Sequence, residues 1–170
     1  MKQNIMTTTK NISFSYVEAH SPEEMEKEDH ELLLAAQQAA ISAYAPYSGF
    51  KVGAAVRLSS GLIVSGSNVE NAAFPSGICA ERNALSNASS NHPGDFPSAL
   101  AVAALTGTGL TPEPVSPCGN CRQVLAEEEM RSGKNIRIIL GGKKKIQIIG
   151  KAGDLLPLQF SREDLKVSRH

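Results

Sequence analysis

The sequence predicts one α/β domain, because segments with a helical period alternate with short apolar runs of strand length across most of the chain. Its 170 residues, 41% hydrophobic and 20% charged, suit a single domain burying about two-thirds of its unfolded surface. No internal repeat, low-complexity tract or linker divides them. Residues 1–20 read as an N-terminal extension, and 21–170 as the domain proper.

Within the extension, Ile12, Phe14, Tyr16 and Val17 hint at a short strand. Ser21-Pro22-Glu23-Glu24 then reads as a helix start, with a Ser cap, Pro at the first helical position and acids in the first turn. Leu32, Leu33, Ala36, Ala39 and Ala40 carry the helical period to about Ala43, and Ala45-Pro46 ends it, since the residue before proline avoids helical geometry. Residues 51–58 and 62–67 read as a hairpin turning at Ser59-Ser60-Gly61. A second helix is expected over 79–90, through Ala80, Ala84, Leu85 and Ala88. The nearly all-apolar run 99–105 suits a strand covered on both faces. A third helix, 117–130, opens with proline, and strands at 136–140 and 146–149 flank Gly141-Gly142 and a lysine triplet that reads as a solvated turn.

Composition excludes several functions. The 17 basic residues balance 17 acidic ones, which argues against a nucleic-acid binder with its basic face. No apolar run approaches the roughly 18 residues that span a bilayer, and polar, Thr-rich residues 1–10 do not read as a secretory signal. The three cysteines, 79, 118 and 121, are an odd set, so reduced thiols in the cytoplasm are expected instead of a disulfide framework.

Those cysteines carry the chemistry. Cys118 and Cys121 are three apart, so on a helix they share one face and can grip one ion, and Cys79 opens the other helix. Helix N-termini favour thiolate. Three thiolates suit Zn²⁺, and three protein ligands with an open position characterise a catalytic site, whereas a structural site closes with a fourth Cys or His. His20, His30, His92 and His170 all lie outside the two motifs. Glu81, two residues beyond Cys79, can reach a water at the open position and so reads as a general acid/base. Zinc with three thiolates is net negative, and Arg82 and Arg122 are placed to donate hydrogen bonds to sulfur and offset that charge.

Cys79-Ala-Glu-Arg82 followed by Pro117-Cys-Gly-Asn-Cys-Arg-Gln123 resembles the zinc-dependent cytidine deaminase family. Tyr44-Ala-Pro-Tyr-Ser48, Phe50-Lys-Val-Gly-Ala-Ala55, Asn68-Val-Glu-Asn-Ala72 and Leu155-Leu-Pro-Leu-Gln-Phe160 are similar to further blocks of that family, so the likeness spans about residues 25–165. It implies a three-layer α/β/α fold with a mixed sheet of about five strands. It also implies hydrolytic deamination of cytidine or deoxycytidine in pyrimidine salvage, with Zn²⁺ held by Cys79, Cys118 and Cys121 and protons moved by Glu81. Substrate binding would fall to Asn68 and Glu70 at the ribose, Phe50 against the base, Ala80 and Phe160. On residue chemistry alone, Asn68-Val69-Glu70-Asn71 is equally a polar strand end, and Phe50 equally a core aromatic.

The loop 73–78 and Asn120 depart from the family pattern, and the loop change leaves the choice between cytidine and deoxycytidine open. The length resembles the short, homotetrameric branch, in which a C-terminal aromatic (here Phe160) reaches a neighbour's active site. Against a nucleic-acid-editing deaminase stand the neutral charge and a cysteine at position 79 where those relatives resemble a His-x-Glu pattern. A member acting on nucleoside antibiotics would not need the Asn-Val-Glu-Asn block. A non-catalytic zinc module would need a fourth ligand and no Glu81. The expected partners are therefore a small nucleoside and further copies of the chain, with no nucleic acid and no membrane.

Overall fold

The computed structural model describes residues 7–165. In chain order these form β1 (Tyr16–Ala19), α1 (Lys27–Ile41), β2 (Lys51–Leu58), β3 (Ile63–Ser67), α2 (Ala80–Asn91), β4 (Pro97–Thr106), β5 (Gly109–Leu110), α3 (Gly119–Ser132), β6 (Arg137–Gly141) and β7 (Ile146–Ile149). The strands make one sheet in the order β1-β7-β6-β4-β2-β3, with β5 paired to β4. β4 and β6 run parallel and the other pairs antiparallel, so the sheet is mixed.

All five expected strands are present, joined by β5 and by β1, where Tyr16 and Val17 hinted at a short strand. β5 has only two residues, too few to show a period in sequence. β1 pairs Tyr16 with Ile149 through Ala19 with Ile146, so the sheet takes its edge from residues assigned to an N-terminal extension. The helix start also differs from expectation. Pro22–Glu24 is a separate 3₁₀ turn, the Ser21 side chain makes no cap bond, and α1 begins at Lys27. Between them Met25 is extended, packing partly buried into the core, and this breaks the helical run.

Alternation along the strands sorts the core into two layers. Leu100, Val102, Ile138 and Leu140 face α2 and α3, joined by Val56, Ala84, Leu85 and Leu125. Ala99, Ala101, Ala103 and Ile139 point the other way, against Leu32, Leu33 and Ala36 of α1. The helices thus lie as α1 on one face and α2 with α3 on the other, giving α/β/α. Asp29 of α1 is fully buried and receives Arg57 of β2 at 3.3 Å and Arg137 of β6 at 2.6 Å, which pins α1 across the sheet. The lysine triplet does sit in the β6–β7 turn, with Lys145 paired to Glu18 at 3.1 Å and to Glu113 at 3.5 Å. Among the described residues no helix is long and apolar enough to cross a membrane.

Two glycines set how closely the helices approach. A Cβ on Gly53 would lie 2.1 Å from the Ala36 carbonyl oxygen and 2.3 Å from the Ala40 nitrogen. On Gly66 it would lie 2.5 Å from the Ala84 nitrogen of α2. Backbone cannot yield as a flexible side chain does. Gly53→Ala is therefore expected to lower stability by about 1–3 kcal/mol, the usual cost of overpacking. Gly107→Ala, where nothing lies within 4 Å, should be close to neutral; thermal melts of the two variants check this.

Candidate active site

The chain between β3 and α2 is held as a strand-like pair. The Val69 N–H donates to the Ile78 carbonyl and the Ile78 N–H to the Val69 carbonyl, each at 3.0 Å. On the other side the Glu70 N–H donates to the Tyr44 carbonyl at 2.8 Å. This lays Asn68, Glu70 and Cys79 on adjoining segments. Cys79 is the extended residue that caps α2 (φ −74°, ψ 152°), and Cys118, after Pro117, caps α3 in the same way (φ −66°, ψ 165°). Cys121 follows in the first turn of α3. Both helix N-termini, with their unpaired N–H groups, therefore converge on one point.

The three sulfurs lie within 4.8 Å of one another, with Cys79 Sγ to Cys118 Sγ at 3.8 Å and Cys118 Sγ to Cys121 Sγ at 3.4 Å. A tetrahedral ion with Zn–S bonds of about 2.3 Å separates its sulfurs by roughly 3.8 Å, so this donor set fits zinc. Among the described residues the cluster contains these three side chains and no histidine; His170 lies outside those residues. The thiol acidities differ from the expectation that all three favour thiolate. Burial pushes the Cys79 and Cys121 thiols up, and the nearby Glu81 charge adds to this. Burial also raises Cys118, but the Cys121 backbone N–H and the neighbouring thiols outweigh it and bring that thiol down. Two of the three sulfurs need a cation beside them to ionise, because burial costs an isolated thiolate more than one helix end returns.

Glu81 sits in the first turn of α2 and is 5% exposed. Burial raises its pKa above the ordinary carboxylate range, against the pull of its own backbone N–H, the Cys121 thiol and the Arg82 charge. Arg82, half-buried, thus acts on the carboxylate. Arg122 donates from Nε to the Pro117 carbonyl at 2.8 Å and from Nη1 to the Leu155 carbonyl at 2.9 Å. Among the described residues neither guanidinium bonds to sulfur, contrary to the sequence reading. The Pro117 carbonyl, five residues before Arg122, and the Leu155 carbonyl at the end of a 3₁₀ turn are acceptors that a planar guanidinium reaches without bending.

A cavity of about 600 Å³ opens beside the thiols, lined by Asn68, Glu70, Cys79, Ala80, Glu81 and Cys118 among others. Asn68 accepts the Val52 N–H at Oδ1 (2.7 Å) and donates from Nδ2 to the Phe50 carbonyl (3.0 Å), so it also latches the start of β2. Glu70 Oε2 accepts the N–H groups of Tyr47 (2.9 Å) and Ser48 (3.3 Å). Phe50 is half-buried and does not line the cavity; Tyr47 and Phe74 supply its aromatic wall, meeting edge-on with ring centroids 6.0 Å apart. Phe160 is 58% exposed and lies outside this cavity, its carbonyl accepting from Gln123 Nε2 at 2.8 Å.

Residues 26–133 match the family described as the cytidine and deoxycytidylate deaminase zinc-binding region. The chain belongs to that family. It is 40% identical over 135 residues to a cytidine deaminase of Halalkalibacterium halodurans, covering 79% of this chain and 95% of that protein. It is 38% identical over 134 residues to a cytidine deaminase of Mycobacterium tuberculosis, covering 79% and 90%. The crystal structure of a cytidine deaminase from Burkholderia pseudomallei superposes with a TM-score of 0.67 at 41% identity, covering 80% of this chain and 100% of that one. β1 falls before the family match.

Sequence reasoning missed Tyr47, Ser48 and Phe74 as wall residues. Tyr47 and Ser48 stand within a block read only as a resemblance, and Phe74 within the divergent loop, so an exposed aromatic in each was the available signal. For the metal, the expectation is one zinc per chain, sharply reduced in Cys118→Ala after dialysis against a chelator and unchanged in His92→Ala. Metal analysis by atomic absorption checks it.

Proposed function

We propose that the chain hydrolyses cytidine and deoxycytidine to the corresponding uridine and ammonia, as in pyrimidine salvage. The observation that carries this is a buried carboxyl, Glu81, its pKa raised by desolvation, opening into the same nucleoside-sized cavity as Cys79 and Cys118. Cys79, Cys118 and Cys121 would hold the ion. Zinc, when bound, supplies the Lewis acidity that makes water nucleophilic near neutral pH.

The protein's own groups do the rest. Glu81 takes a proton from the attacking water and delivers it to ring N3, then takes the proton of the new C4 hydroxyl and passes it to the amine departing from C4. Ala80 lies in the first helical position of α2, where a backbone N–H is free of intrahelical partners and can meet an acceptor on the base. Asn68 and Glu70 take the sugar, each with hydrogen-bonding capacity left after its backbone contacts. Tyr47 and Phe74 wall the opening, the place assigned from the family likeness to Phe50. The positive charges of Arg82 and Arg122 offset the thiolates through space.

The assembly that fits is a homotetramer with shared active sites. Leu158 is 91% exposed and Phe160 58%, apolar side chains of the C-terminal segment left for further copies of the chain to cover. Phe160 would then complete a neighbour's cavity.

Two outcomes test this reading. Glu81→Gln should retain zinc and nucleoside binding while turnover falls at least ~100-fold, followed by the loss of cytidine ultraviolet absorbance; near-normal turnover would remove Glu81 from the mechanism. Phe160→Ala should weaken nucleoside binding with zinc content unchanged, and light scattering alongside turnover should find the active species to be larger than one chain.

A further inference from the structure

Ser48 stands on the rim of the cavity and has no part in metal binding or proton transfer. Its hydroxyl is engaged on both sides. The Phe50 N–H donates to Ser48 Oγ at 3.0 Å, and Ser48 Oγ donates to Oε1 of Glu70. With a lone pair taken by Phe50, the single hydroxyl proton is directed at Glu70. The turn that allows this is itself fixed. The Gly49 N–H donates to the Ala45 carbonyl at 3.0 Å, and Gly49 has φ +67°, a left-handed conformation that brings Phe50 N–H back over the Ser48 side chain.

The consequence for Glu70 is a count of acceptor positions. An ionised carboxylate offers about four. Two on Oε2 are filled by the Tyr47 and Ser48 N–H groups, and one on Oε1 by the Ser48 hydroxyl. One position remains, on Oε1. The Ser48 hydroxyl and then the Tyr47 N–H also hold the Glu70 carboxyl below the ordinary carboxylate range, so an ionised acceptor is maintained. Without the hydroxyl, Oε1 loses its partner, and the terminal carboxylate torsion, which is intrinsically broad, is less restrained. Ordering it would then oppose substrate binding.

We propose that Ser48 is a positioning residue for sugar recognition, orienting the Glu70 carboxylate so that its one remaining acceptor position meets a hydroxyl of the pentose. This rests on Glu70 being the sugar acceptor, as read above. The probes are cytidine and 2′,3′-dideoxycytidine, which lacks both ring hydroxyls, assayed on the zinc-loaded protein. Ser48→Ala should raise KM for cytidine about threefold to tenfold, the weight of one hydrogen bond, with a much smaller change in kcat. With the dideoxynucleoside the KM increase should shrink to less than twofold, and Ser48→Thr, which keeps the hydroxyl, should restore cytidine binding. An unchanged KM for cytidine, or an equal rise with both nucleosides, overturns the proposal. Glu70→Ala, run in parallel, separates the two readings. If it discriminates between the nucleosides and Ser48→Ala does not, the Ser48 role falls and the Glu70 role stands; if it does not discriminate, both fall. Where the alanine variant melts too low to assay, Ser48→Cys, near in size and a weaker donor, gives the same comparison.

Discussion

The site depends on how closely α2 lies on β3. Gly66 has no side chain, so the backbone of Ala80 and Ala84 descends onto the strand, where a Cβ would lie 3.0 Å from the Ala80 carbonyl oxygen. Asn83 Nδ2 donates to the Ser67 carbonyl at 3.0 Å and fixes the helix along the strand as well as above it. The Val69–Ile78 pair then closes the loop between them. With its start set in height and register, α2 brings Cys79 to the thiol cluster and keeps Glu81 buried. One methyl group on Gly66 would move ligand and acid together.

The second helix end is anchored from the opposite direction. Glu129 in α3 accepts the backbone N–H groups of Ile136 (2.7 Å), Ala152 (2.9 Å) and Gly153 (2.8 Å), tying the helix to the entrance of β6 and to the chain after β7. Arg122 adds the Leu155 carbonyl and, through Pro117, the segment that leads into Cys118. The C-terminal segment and the metal loop are thus parts of one hydrogen-bonded unit. Desolvation does the chemical tuning inside it: the same burial that raises the pKa of the Cys79 and Cys121 thiols raises that of the Glu81 carboxyl.

A division of labour separates the two sides of the cavity. At the thiol end desolvation pushes the pKa values of Cys79, Cys121 and Glu81 up, while the exposed Cys118 is brought down by its neighbouring donors. At the other side the Glu70 carboxylate, to which the proposed function gives the sugar, is held below the ordinary carboxylate range and steadied by donors from the Tyr47–Ser48 turn. Proton transfer needs the first environment and recognition of a hydroxyl needs the second. Asn68 ties the cavity wall to the sheet, its side-chain amide being bonded to the backbone at Phe50 and Val52.

The sequence by itself determined the α/β class, five of the strands, the second and third helices to within two residues, the body of the first though not its start, and the three thiols with their neighbouring acid. Those signals are local: an apolar period, a proline before a helix, cysteines three apart on one helical face. The alternation at Phe14 and Tyr16 hinted at a strand, but only the tertiary structure decided that residues 16–19 close the sheet edge, because their partner lies at the far end of the chain. It also decided that Arg122 serves two carbonyls, that Tyr47 and Phe74 line the cavity while Phe50 does not, and that Asp29 pairs with Arg57 and Arg137 across the sheet. Each of those is a choice among partners distant in sequence, and packing, which no local pattern encodes, makes it.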